Sequence, residues 1–212
     1  YAWGVGYGYD ANGHLSEQTY PAGLTVDFVP NALGQPTQVG PYASGVQYHP
    51  NGAVKQFVFG NGARYTMSQN ERMLPFWTDH VGVQRYELYY DTHANPTAIY
   101  DHTSGANYSR LLAYDAQDRL VAAGSASFGG DHWHRFSYDA LDNLNSWTLS
   151  GVKDHAHYDY DQGTRRLAGI RDSAGTALIS LGYDAQGNLQ QRNGQQYSFD
   201  FGNRLRSVSG VE

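Results

Sequence analysis

An all-β fold, in which tandem antiparallel β-hairpins run on as one continuous curved or spiralling sheet, is predicted for this 212-residue chain. Three observations predict it. A seven-residue phrase recurs, as YDANGHL (9–15), YDAQDRL (114–120), YDALDNL (138–144) and YDAQGNL (183–189). Apolar residues alternate with others just ahead of that phrase, the period of a strand with one buried face. The chain also holds 18 Tyr and 25 Gly against 2 Met, a balance that favours pleated surfaces and tight turns over helices.

Taken in order, ten units follow one another. Aligned on the first residue of the phrase, an apolar residue recurs six positions on. Tyr9 leads to Leu15, Pro30 to Pro36, Tyr48 to Val54, Met67 to Met73 and Tyr90 to Pro96. Tyr114 leads to Leu120, Tyr138 to Leu144, Tyr183 to Leu189 and Phe199 to Leu205, while Tyr160 reaches Leu167 with one extra residue. Steps between anchors run from 16 to 24 residues, a tandem-repeat spacing of about 21. Ahead of the anchors stand Trp3, Val5 and Tyr7; Leu112; Phe136; Ile179 and Leu181; and Tyr197, each set alternating toward an inward face. Inside the phrase, Asp and Gly are turn residues, and the apolar residue at the sixth position opens the returning strand. Second turns follow at YPAG (20–23), FGNG (59–62), HTSG (102–105), DSAG (172–175) and RNG (192–194). The reading is strand–turn–strand–turn, roughly twenty short strands in a meander. Residues 1–212 read as a single array with no linker or low-complexity block. Starting at Tyr1 without Met, it reads as a piece of something longer.

Composition narrows the function. A formal charge of −6 argues against a nucleic-acid partner, whose phosphates call for a basic face. There is no Cys, hence no disulfide frame and no thiolate chemistry. No apolar run approaches the ~18 residues of a membrane span, and no signal peptide is visible. As a compact body, a chain of this length would bury roughly 70% of its unfolded surface.

The phrases YDANGHL, YDAQDRL, YDALDNL, YDAQGNL and FDFGNRL, interleaved with GNG turns, resemble the YD-repeat, or RHS-repeat, family across essentially the whole chain. The resemblance implies a ribbon of strands that spirals into a shell, so that this chain is a β-solenoid-like shell segment. In bacterial RHS proteins and insecticidal toxin-complex proteins such shells enclose a C-terminal toxin. In animal teneurins a similar barrel supports adhesion. The chain departs from the bacterial pattern in lacking Asp-Pro and any non-repetitive tail after FDFGNRL. An open curved sheet, rather than a sealed cavity, is the expectation. Cut edges of such an array predict association in solution or stabilisation by flanking sequence.

The implied function is therefore a non-enzymatic, secreted or cell-surface shell segment of a bacterium, its partner a C-terminal toxin or other polypeptide. The alternative is a carbohydrate- or cell-surface-binding module that presents its aromatic residues. No catalytic, cofactor-binding or metal residue is assigned. The recurrent Asp suits a turn that bonds its own N–H groups, since acid–base catalysis needs two differently tuned carboxyls and not one per repeat. In KDHAHYDYD (153–161), His155, His157, Asp159 and Asp161 would share one strand face opposite Tyr158 and Tyr160, a zinc-like donor set. The plainer reading is a polar outer face. His132 and His134 fall on the face of Phe136 and Tyr138, opposite to that of His155 and His157, so the pairs should not converge. Cross-strand packing accounts for most tyrosines. MLPFWTDHVG (73–82) breaks the rhythm, and Phe76 and Trp77 there suggest a projecting contact loop.

Overall fold

The computed structural model describes residues 3–209. Among them the chain forms twenty strands and two 3-10 turns, with no α-helix. It divides into two compact units, one up to Arg110 and one from Leu111 on.

The first unit holds β1 (Gly6–Tyr9), β2 (Leu15–Thr19) and β3 (Thr25–Asp27), then β4 (Ala43–Tyr48), β5 (Val54–Phe59), β6 (Arg64–Gln69), β7 (Pro75–His80), β8 (Gln84–Tyr90) and β9 (Pro96–Asp101). Each of β1–β3 and β4–β9 is an antiparallel meander in chain order. Between β3 and β4 pairing thins to isolated bridges such as Pro30↔Pro36 and Val39↔Ala43. The second unit holds β10 (Arg110–Tyr114, whose first residue belongs to the unit before), β11 (Leu120–Gly124), β12 (Trp133–Tyr138), β13 (Leu144–Leu149) and β14 (Lys153–His155). There follow β15 (His157–Tyr160), β16 (Leu167–Arg171), β17 (Ala177–Tyr183), β18 (Leu189–Arg192), β19 (Gln195–Phe199) and β20 (Leu205–Ser209). β10–β14 pair in order, as do β15–β20, and Ala156 marks the change from one sheet to the next.

One hairpin geometry recurs. The anchor pairs with the apolar residue six on, and the register slips by one there, at Tyr9↔Leu15, Tyr48↔Val54, Tyr138↔Leu144 and Phe199↔Leu205 among others. A turn followed by a bulge residue at positive φ gives this slip. The bulge slot is Gly13, Gly34, Gly52 or Gly187 in some units and Met73, Ala94, Asp118, Asp142 or Asn203 in others.

That geometry corrects the frame of the fourth unit. Gln69 pairs with Pro75, so the anchor is Gln69 rather than Met67. Asn70 has a side-chain oxygen able to take the turn N–H groups, and it does so from Arg72 and Leu74 at 2.9 and 3.1 Å. Met67 is instead buried within β6, and Met73 fills the bulge slot at φ 60°. The expected projecting loop at 73–82 is likewise a turn and a strand: Phe76 and Trp77 lie half-buried in β7.

Few side chains find full cover. The buried apolar residues are Val26, Met67 and Ala98 in the first unit and Ala123, Leu149 and Ile170 in the second. Accessible surface totals 13476 Å², where a compact 23.5 kDa protein would keep about 9,800 Å². Folding thus removes about 60% of the unfolded surface, not the 70% expected of a compact body. The inward face expected for β1 is absent too, since Tyr7 and Tyr9 are 58% and 63% exposed.

Candidate functional site

The recurrent polar groups of the phrase can be followed atom by atom. In YDALDNL, Asp139 Oδ1 accepts from the backbone N–H groups of Leu141 and Asn143 at 2.8 and 2.9 Å, and Oδ2 from the Asn143 amide at 2.9 Å. Asp10, Asp91, Asp115, Asp184 and Asp200 repeat the two backbone bonds to residues two and four on. Asn31 does the same from its amide oxygen. An Asx turn of this kind replaces backbone pairing that the tight turn cannot make. The Asn143 amide, opposed by burial and aided by the turn N–H groups, holds the Asp139 carboxyl below its ordinary value, and Asn188 does so for Asp184. These carboxylates are ionised turn locks with their oxygens engaged.

The anchor tyrosines reach back one unit. Tyr138 Oη donates to the Leu120 carbonyl at 2.8 Å, Tyr160 Oη to Leu144 at 3.0 Å and Tyr183 Oη to Leu167 at 3.0 Å. In the first unit Tyr48 Oη donates to Pro36 at 2.6 Å. Every one of these acceptors is the apolar residue that closes the preceding phrase. The residue before it reaches forward. Arg119 bonds the Asp139 carbonyl at 2.9 Å and lies over the Tyr138 ring at 4.9 Å, while also pairing with Asp115 and Asp142. Arg166 repeats this toward Asp184 and Tyr183; Arg72, from inside the turn of the fourth unit, also reaches forward, to the carbonyls of Asp91 and Thr92. The phrase at 160–167 carries both halves of the joint, Tyr160 reaching back and Arg166 forward.

The expected donor set at 153–161 is dispersed. The break at Ala156 puts His155 in β14 and His157 in β15, so parity does not carry through. His155 shares a face with Tyr158, their Nδ1 and Oη 3.3 Å apart. Asp159 is held by Arg171 through two bonds of 2.7 Å, and Asp161 caps its turn through Gly163 and Thr164. His157 is exposed. Among the described residues no three His, Cys, Asp or Glu side chains gather as a metal site.

The second histidine pair also differs from expectation. His132 stands ahead of β12 with φ 67° and off the strand's face. His134 is stacked on Phe136, edge-on to Phe128, and accepts the Trp147 indole N–H at 2.9 Å. Phe136, Trp147 and His155 are directly cross-strand. His134 and His155 thus flank one indole from the same face, where a straight count along the chain separates them.

Two side chains pack against the Trp77 ring. Arg85 lies over it at 4.8 Å and His102 packs against it at 4.8 Å, with His102 bonded to Glu87 at 3.0 Å. The surrounding depression of about 310 Å³ is lined by Lys55, Gln56, Thr66, Asp79 and Arg85. Around Arg135, Ser150, Lys153, Asp154 and Ser173 lies an open groove of about 470 Å³ with no buried polar group aimed into it.

These features define a class: an all-β repeat protein whose motif fastens each hairpin to the next. The RHS Repeat family model matches residues 9–41. The same Asx turn recurs beyond the matched residues, at Asp139 and Asp184 among others. The fold of the chain is similar to part of the Photorhabdus luminescens Tc holotoxin pore carrying a TccC3 mutation, with a TM-score of 0.66, 15% identity, and coverage of 98% of this chain and 12% of that one. A TcdB2-TccC3-Cdc42 crystal structure matches at TM-score 0.64 and 17% identity, over 96% of this chain and 12% of that one. TcdB2-TccC3 without its hypervariable C-terminal region matches at 0.63 and 16%, over 96% and 13%. The chain therefore spans about an eighth of the length of the solved chains it resembles. No curated protein matches it in sequence.

Proposed function

We propose that this chain is a non-enzymatic wall segment of a bacterial RHS shell that encloses or presents an associated toxin or effector polypeptide. The observation that carries the reading is the use of the motif's polar groups: turn carboxylates lock each hairpin's own turn, while tyrosine hydroxyls and forward-reaching arginines join one hairpin to the next. Likeness to TcdB2-TccC3 chains supports the shell assignment, and toxin-complex relatives of that kind support a secreted location. Expression of the full-length gene product, followed by protease treatment, tests it. A toxin or effector polypeptide is expected to survive digestion in the intact particle and to be degraded once the wall is opened by denaturant. Equal degradation in both states would remove the containment role. A glycan array provides the competing outcome: specific sugar binding abolished by Trp77→Ala would make this a carbohydrate-binding module instead.

A further inference from the structure

Six of the ladders between successive repeats obey one rule. The residue two past each closing apolar residue pairs with the residue three before the next anchor: Glu17↔Asp27, Gln56↔Thr66, Trp77↔Glu87, Ala122↔Arg135, Gly169↔Ser180 and Gln191↔Gln196. The β13–β14 ladder departs from it by one residue, next to the break at Ala156. The side-chain joints fall on the same frame. Tyr138, Tyr160 and Tyr183 donate back to a closing carbonyl, and Arg119 and Arg166, each just ahead of a closing residue, reach the carbonyl after the next anchor. Two strands carry these parts uncovered. Among the described residues β1 pairs with β2 alone and β20 with β19 alone. Val5, Tyr7 and Tyr9 are exposed, alternating with Gly4, Gly6 and Gly8. On β20, Leu205 and Val208 are exposed on the face of Phe199 and Tyr197, their cross-strand partners. Arg204 stands just ahead of the closing residue as Arg119 does, yet its side chain is 73% exposed where that of Arg119 is 22%.

We propose that β20 of one copy of this chain docks beside β1 of a second copy, through the same joint that fastens one repeat to the next.

The two edges are complementary part by part. β20 supplies the acceptor carbonyl of Leu205 and the forward-reaching Arg204; β1 supplies the Tyr9 hydroxyl and the carbonyl of Asp10. The pairing rule fixes the register, with Ser207 opposite Gly6, Val208 opposite Val5 and Ser209 opposite Gly4. In that register Val5, Tyr7 and Tyr9 extend the apolar face of Leu205 and Val208, and the glycines let the backbones approach without a Cβ between them. Open strand edges of this kind are templates for pairing with another chain. The two surfaces differ, so the contact is heterologous: each added copy presents a fresh edge, and assembly continues past the dimer. One strand edge with a few side chains belongs to the small, transient class of interface, under about 1,200 Å². The association is therefore concentration-dependent. It follows from the joints and not from enclosure of a toxin, so either reading can fail without the other.

Sedimentation velocity of the whole chain over a concentration series tests the docking. The weight-average mass should rise with concentration and pass that of a dimer. Val5→Lys guards the β1 edge and Val208→Lys the β20 edge, since a charge on an edge strand opposes pairing. Each variant alone should stay monomeric, because its one intact edge meets only guarded partners. An equimolar mixture of the two should form dimers that grow no further. A native chain that remains monomeric throughout the series, self-association of either Lys variant, or a mixture without dimers would overturn the proposal. Should the Lys variants fold poorly, Tyr9→Phe removes a single exposed hydroxyl and should weaken association about fivefold. Unchanged association in that variant would overturn the shared joint.

Discussion

At the bulge slot of each turn one residue must adopt a left-handed conformation. Ala94 does so at φ 73°, at a cost of roughly 1 kcal/mol for an L-residue with a Cβ. Ala94→Gly should therefore raise stability by up to about 1 kcal/mol, read as a shift in denaturant midpoint without a change in slope. Gly187→Ala should act oppositely and more strongly: φ is 95°, and a Cβ there would stand 2.7 Å from Arg166 Nη2, disturbing the bond from Arg166 to Asp184. Denaturation of the two variants side by side checks both, and a destabilised Ala94→Gly would contradict the bulge argument. Asp139 illustrates the turn lock. Its Oδ1 acceptor role is one that an amide oxygen also performs, as at Asn31. Asp139→Asn keeps that role but loses the Oδ2 acceptor of the Asn143 amide, so it should be mildly destabilising and Asp139→Ala clearly more so.

Between elements, the tyrosine hydroxyl is the joint that isolates a single variable. Tyr138→Phe leaves the Leu120 carbonyl without that donor, and a loss of about 1 kcal/mol is expected. The reciprocal experiment is available in nature's own exception. Phe199 occupies an anchor position one unit after Leu189 and has no hydroxyl to give. Phe199→Tyr should donate to Leu189 and stabilise the β18–β20 segment by up to about 1 kcal/mol, seen as slower amide exchange there. No gain in exchange protection would mean that the anchor geometry does not extend to the tenth unit. The hairpins themselves were legible in the sequence because turn chemistry is local: Asp, Gly and the apolar residue lie within seven positions. The joints were not legible. Nothing in Tyr138 announces that its hydroxyl ends at Leu120, eighteen residues away.

For the molecule as a whole, the shared turn lock predicts a shared response to acid. Asp139, Asp184 and Asp10 are lowered from 3.8 in the folded chain: the first two by their Asn amides foremost, Asp10 by the His14 N–H. Such carboxylates stabilise the fold above their unfolded value, and the contribution is lost as pH falls from about 3.8 through the lower folded values. Urea midpoints should therefore decline steeply below about pH 3.8. Asp139→Asn, which cannot titrate, should flatten part of that decline. A decline of the same steepness in that variant would assign the acid sensitivity elsewhere. The large accessible surface adds a second consequence. With few residues covered on both sides, stability rests on neighbour-to-neighbour joints, as in other repeat arrays, so local unfolding should be graded along the chain.

By itself the sequence determined the all-β class, the approximate number of strands, and the repeat frame with its turns at nine of its ten anchors, because those depend on residues close together in the chain. Tertiary structure decided the remaining frame, since only pairing reveals that Asn70 rather than Ser68 locks its turn. It also decided the fate of the histidines. A two-residue alternation holds only while one strand lasts, and the break at Ala156 turns His155 toward Trp147, Tyr158 and, across the indole, His134.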